Sequence, residues 1–164
     1  MRQGVVLYDA LHGFRGGRIT GTAKLEANLD QQLAGLAHDS LFQVFLEIHK
    51  AYDSLDRGRC LEVLLGYGMG PNLARLLTAY WDRQRIVLKT GKFLGKEFKT
   101  GRGLTKGDPA STMIFNIVVD AVVRAVLDMV CGPQEAQHGL GWAAGERNLI
   151  FYADSGRIAG KDHL

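Results

Sequence analysis

The alternation of apolar and polar positions divides the chain into segments of helical and of strand period. From Thr20 to Asp39, the residues Ala23, Leu25, Ala27, Leu29, Leu33, Leu36 and Ala37 recur at roughly helical spacing, with Thr20 or Thr22 available as a cap, which predicts a helix. Phe42 to Ile48 (FQVFLEI) is nearly continuous in apolar residues, with Gln43 and Glu47 on one pleat face, and predicts a buried strand. Asp56 to Leu65 and Pro71 to Trp81 return to helical spacing. The glycines between 66 and 70 end the first, and Pro71 opens the second where its missing N–H costs nothing. Arg85 to Lys89 and Phe93 to Phe98 flank Thr90-Gly91-Lys92 and predict a hairpin whose lysines mark an exposed sheet edge.

The strongest helical signal begins at Asp108-Pro109, an N-cap followed by a proline in the first turn, and runs to about Val130. Its polar residues fall every fourth position (Thr112, Asn116, Asp120, Arg124, Asp128), so most of its circumference is expected to be buried beneath a sheet. Asp120, Arg124 and Asp128 are also spaced for ion pairs worth about 0.2–0.5 kcal/mol each. Near the end, Asn148 to Ala153 and Gly156 to Ala159 predict a tight hairpin with Asp154 at its tip.

Composition narrows the picture. With 164 residues, 46% of them apolar, the chain can build one core and not two full domains. A net charge of +3 is compatible with a polyanionic partner without requiring one. Cys60 and Cys131 stand far apart and the five histidines are scattered, which argues against a disulfide framework or a zinc site and for a reducing, intracellular setting of unknown compartment. The apolar run from 113 to 130 is broken by Asn116, Asp120, Arg124 and Asp128, so no membrane span is expected, and Met1 to Phe14 lack signal-peptide features.

Chemistry is sought where carboxylates end apolar strands, because such a group loses hydration unless a metal or hydrogen bonds compensate. Glu47 and Asp154 are in that position; spacing alone leaves open an exposed strand end for the one and a simple turn for the other. Asp154-Ser155-Gly156 lacks the GxSxG pattern of a nucleophile turn, and neither glycine cluster supplies the GxxxxGK[ST] phosphate loop.

Four segments, in order, carry a family resemblance. Val44 to Asp53 (VFLEIHKAYD) resembles the first palm motif of reverse transcriptases, an Asp, four intervening residues, an aromatic residue and an Asp, with Glu47, Tyr52 and Asp53 at those positions. Gly103 to Asn116 (GLTKGDPASTMIFN) is similar to the second palm motif, and Phe151 to Ser155 (FYADS) to the third, whose core is Tyr-Ala-Asp-Asp. Upstream, Gly13 to Arg18 (GFRGGR) resembles a fingers motif of group II intron and LINE-like enzymes. The resemblance implies an α+β fold, a polymerase palm-like antiparallel sheet packed on helices. Residues 1–41 would be partial fingers and 42–164 the palm core, with no thumb. It further implies that Glu47 and Asp154 hold two Mg2+ (or Mn2+) ions as the catalytic and metal-binding carboxylates. Tyr52 would lie under the incoming sugar as a steric gate, Arg15 and Arg18 would meet the triphosphate, and Lys106 and Gly107 would line the nascent base pair. The implied partners are an RNA or DNA template-primer and deoxynucleoside triphosphates, with no membrane; the oligomeric state stays open.

The departures fall on the residues that matter. Glu47 replaces Asp, Ser155 replaces the second Asp of the third motif, Lys106 replaces Gln and Thr112 replaces Pro. A ligand one methylene longer and a lost negative charge both work against a hard cation, whose site tolerates errors of about 0.2 Å. The expectation is an RNA-directed DNA polymerase domain whose two-metal transfer is weak or absent. The alternative is a non-catalytic nucleic-acid-binding remnant that uses the cations around the 85–98 hairpin.

Overall fold

The structure, a computed structural model, describes residues 7, 11–131 and 147–161. Its elements are α1 (Thr20–Ala37), β1 (Leu41–Glu47), α2 (Ala51–Ser54), α3 (Arg57–Gly66), α4 (Pro71–Arg83), β2 (Lys89–Thr90), β3 (Phe93–Leu94), α5 (Pro109–Cys131), β4 (Arg147–Tyr152) and β5 (Ser155–Lys161). The fold is α+β, and its sheets are antiparallel.

Local chemistry explains the boundaries. Asp108 caps α5, its carboxylate accepting from the Ala110 N–H at 3.0 Å. Asp56 caps α3 in the same way, accepting from the Arg59 N–H at 2.9 Å. Pro71 opens α4 as expected. At α1 the capping residue is Ile19, and Thr22 serves from inside the first turn, its hydroxyl accepting from the Ile19 N–H at 3.1 Å.

The larger sheet has the order β1-β5-β4. Leu41 pairs with Lys161 and Glu47 with Ser155 along one edge of β5, while Arg147 pairs with Gly160 and Tyr152 with Ser155 along the other. Leu11 adds a parallel bridge to Phe151 on the outer side of β4. The core lies between this sheet and the helices, where Leu11, Cys60, Leu64, Trp81, Leu104, Ile114, Phe115, Ile117, Val123 and Leu149 cluster. Burial pushes the Cys60 thiol up to about 11, so it behaves as a small core residue.

Three expectations need correction. The strand Leu41–Glu47 is not buried: it lies at the sheet edge, and Phe42, Val44, Phe45 and Leu46 are all exposed. Its continuous apolar run resembles that of a doubly covered strand, but among the described residues nothing covers it. The second correction concerns α5, which exposes Met113, Val122, Val126 and Met129 while Asn116 and Asp120 are buried. The middle of the polar stripe faces inward because it has partners there: Tyr67 donates to Asp120 at 2.5 Å, and Arg124 pairs with the same oxygen at 2.7 Å, while Asp128 stays exposed. Burial, and after it this contact, push the Tyr67 phenol up to about 12. By length and composition α5 could cross a membrane, yet its buried polar groups are spent on the protein's own side chains and backbone. Third, the hairpin ladder is shorter than expected, pairing only Lys89–Leu94 and Thr90–Phe93, with one further bridge between Ile86 and Phe98.

Candidate functional site

The candidate site is built at one end of the larger sheet. Glu47 ends β1 directly opposite Ser155, the first residue of β5. The turn that joins β4 to β5 is Ala153-Asp154, and the Asp154 carbonyl accepts from the Ile48 N–H at 2.9 Å. Both carboxylates therefore stand at the same end of the sheet, with a serine hydroxyl where a third could have been. Ala153 takes φ 54°, a left-handed conformation that costs a non-glycine residue about 1–2 kcal/mol.

The surroundings hold this strained turn in place. The Asn116 amide of α5 donates to the Gly13 carbonyl at 2.8 Å, and the His12 N–H donates to the Phe151 carbonyl at 2.7 Å. A Cβ on Gly13 would come within 2.5 Å of the Ala153 nitrogen, so only glycine lets this loop lie against the turn. Across the hairpin, the Phe151 ring covers Gly156, where a Cβ would meet it at 2.5 Å.

The loop carrying Arg15 and Arg18 is thus docked beside the turn. Arg15 donates to the Leu11 carbonyl at 3.0 Å, and Arg18 lies 3.2 Å from His12 Nε2. His12 is buried, also contacting Thr22 at 3.4 Å and Glu26 at 3.3 Å. Burial lowers its pKa, the positive charges of Arg18 and Arg15 act in the same direction, and Glu26 opposes them.

A second wall comes from α2 and the segment before α5. Tyr52 stacks on the buried ring of Phe115, centroids 4.6 Å apart and planes 11° from parallel, so its side chain is fixed by α5. Gly103, at φ 84°, lies on the backbone of Tyr52 and Asp53, and the Leu104 N–H donates to the Tyr52 carbonyl at 2.8 Å. Lys106 lies in an exposed loop and pairs with Asp53 at 3.3 Å. Gly107, at φ 87°, makes the turn into α5. Between these pieces is an open pocket of about 710 Å³, lined in part by His49, Lys50, Asp53, Arg102 and Lys106. The structure brings Glu47, Asp154 and Ser155 together in one group, Tyr52 and Lys106 in another, and ties Arg15 and Arg18 to the segment beside the turn.

No protein-family model matches the chain. Over 84 residues it is 29% identical to a retrovirus-related Pol polyprotein from the type-1 retrotransposable element R2 of Nasonia vitripennis, a match covering 51% of this chain and 8% of that protein. Over 110 residues it is 28% identical to the corresponding polyprotein from the type-2 element R2DM of Drosophila melanogaster, covering 67% of this chain and 10% of that one. Among solved structures, telomerase from Candida tropicalis in complex with a TWJ fragment of telomeric RNA superposes with a TM-score of 0.64 at 11% identity, over 93% of this chain and 25% of that one. The Candida albicans counterpart gives 0.62 at 12% identity, over 94% and 28%. This is a reverse-transcriptase-like chain. It spans no more than about a tenth of the curated relatives it matches.

Three residues important to this reverse-transcriptase-like arrangement gave little sign of it in sequence. His12 and Asn116 do their work through backbone groups on distant segments. Arg57 donates to the carbonyls of Gly103 and Thr100 at 2.9 and 3.0 Å, and to Gln84 at 3.0 Å, while lying 5.6 Å over the Trp81 ring. Those partners lie 24 to 46 positions away, beyond any periodicity, and although Asn116 closes the second-motif segment, that match names the residue and not its partner.

Proposed function

We propose that this chain is the core of an RNA-directed DNA polymerase domain, palm over residues 42–164 and partial fingers over 1–41, in which nucleotidyl transfer is weak or lost. The observation that carries this reading is the β1–β5 register, which sets Glu47 opposite Ser155 and keeps Asp154 in the adjoining turn. Tyr52, stacked on Phe115, is rigid enough to act as a gate against a 2′-hydroxyl. Arg15 and Arg18 supply positive charge for a triphosphate, and Lys106 and Gly107 line the side from which a templating base would approach. The partners are an RNA or DNA template-primer and deoxynucleoside triphosphates.

Glu47 and Asp154 are the residues that would hold Mg2+ or Mn2+. Among the described residues no group of three or more His, Cys, Asp and Glu side chains is gathered to bind a metal. Two carboxylates and a neutral hydroxyl fall short of the donor charge that clamps both the attacking and the leaving oxygen. The residues do not fit an intact two-metal centre.

Manganese titration followed by EPR tests the reading. The native chain is expected to bind at least tenfold more weakly than a Glu47→Asp/Ser155→Asp variant, and primer extension is expected only from the variant. Tight native binding that Asp154→Ala abolishes would refute the weakening. Failure of the double variant to bind any better would refute the assignment of this sheet end as the metal site.

A further inference from the structure

We infer that the β2–β3 ribbon is a binding track for single-stranded nucleic acid, separate from the carboxylate end of the sheet. Residues 82–102 contain seven Lys and Arg against two carboxylates, whereas the whole chain carries only +3, so the other residues sum to −2. The net positive charge of the protein is concentrated in this one segment. Arg85 pairs with Glu97 at 3.2 Å, but Arg83, Lys89, Lys92, Lys96, Lys99 and Arg102 make no ion pair among the described residues.

Lysines on an exposed edge often serve only to keep strands from pairing with another chain. That explanation fails here on two counts. With two residues per strand, the ladder offers almost nothing to pair with. The ribbon also exposes large apolar side chains that edge protection would avoid: Phe93 is 83% exposed, Leu94 72% and Leu88 66%. Strand alternation puts Leu88 and Phe93 on one face with Thr90, and Lys89 with Leu94 on the other. An uncovered aromatic ring flanked by unpaired cations suits an unpaired base and its phosphates, because bases stack on aromatic side chains while lysines neutralise the backbone. A duplex, whose bases are already stacked, has no use for that ring.

The ribbon is also firmly mounted. Arg57 grips its base through the Thr100 and Gly103 carbonyls and Gln84, and the Ile86–Phe98 bridge closes the stem. Ile86 and residues 100–103 of the same stem line the pocket that also holds Lys50, Asp53 and Lys106. A strand bound along the ribbon is thereby directed toward the pocket. The inference relies on the proposed function only for that destination.

Fluorescence anisotropy with short labelled oligothymidylate and oligouridylate, on the full chain, tests this directly. Lys89→Ala/Lys92→Ala/Lys96→Ala is expected to reduce the slope of log affinity against log salt by about 2, since each phosphate contact on a single strand contributes about 0.7. Phe93→Ala is expected to weaken binding roughly tenfold at fixed salt. All four positions are exposed, so unchanged circular dichroism melts will confirm that folding is unaffected. If the native chain binds both oligonucleotides as expected while the Glu47→Asp/Ser155→Asp variant gains no manganese binding, the metal reading falls and the track stands. Unchanged affinity and salt slope in the lysine variant, unchanged affinity in Phe93→Ala, or tighter binding to phosphatidylserine vesicles than to either oligonucleotide would each overturn the inference.

Discussion

The two long helices α1 and α5 are attached to the same sheet by opposite physics. On α5 the contact is apolar: Ile114, Phe115, Ile117, Val119 and Val123 are buried against the core, and buried polar groups such as Asp120 are satisfied by Tyr67 and Arg124. On α1 the leucines at 25, 29, 33 and 36 are exposed, and the residues that turn inward are Ala23, Asp30 and Ala34. Asp30 pairs with Arg157 of β5 at 2.7 Å, and Arg157 also donates to Gln43 of β1 at 3.0 Å. A second polar cluster joins His12 to Thr22 and Glu26. Apolar packing is tolerant of small shifts, whereas a buried ion pair demands geometry and is costly to break. The side of the molecule bearing the Tyr52 stack is therefore held by bulk, and the side bearing Arg15 and Arg18 by a few specific contacts.

Substitutions can break each attachment separately. Phe115→Ala should cost about 3–5 kcal/mol, because it empties the core and removes the ring beneath Tyr52; chemical denaturation measures the loss. Asp30→Ala leaves Arg157 charged and buried, for which about 3 kcal/mol is expected. Among the described residues one Arg157 nitrogen has no hydrogen-bond partner, so Asp30→Ala/Arg157→Met should recover most of that loss in the same assay. Full additivity of the two changes would contradict the polar account of α1.

A smaller effect follows from His12. Its folded-state pKa is lowered below the usual 6.5, chiefly by burial, so the unfolded chain takes up a proton more readily than the native one. The contribution of neutral His12 is fully present above about pH 6.5 and is lost as pH falls through that value toward the lowered native one. Thermal melts should show Tm dropping over this acid range, less steeply in His12→Gln. The smallest effect is expected from Leu36→Ala, within about 0.5 kcal/mol by denaturation, since that side chain is 80% exposed.

Helix positions and caps were legible in the sequence because they are local. The Asp108 cap, the proline start of α4 and the Asp154 hairpin rest on residues a few positions apart, whose backbone preferences act without help from the rest of the fold. The motif order pointed in the same local way to the placement of Glu47 and Asp154 at one sheet end.

Tertiary structure alone decided which apolar surfaces are covered. The runs of β1 and α1 are as apolar as those of a core, yet periodicity reports only that a face exists, not whether another element reaches it. Its partners also determined that Asn116 and Asp120 turn inward, that Arg57 clamps the ribbon's base, and that His12 sits between two arginines and a glutamate. Each of these depends on groups far apart in the chain. Their energies come from desolvation and geometry, which exist only once the chain has folded.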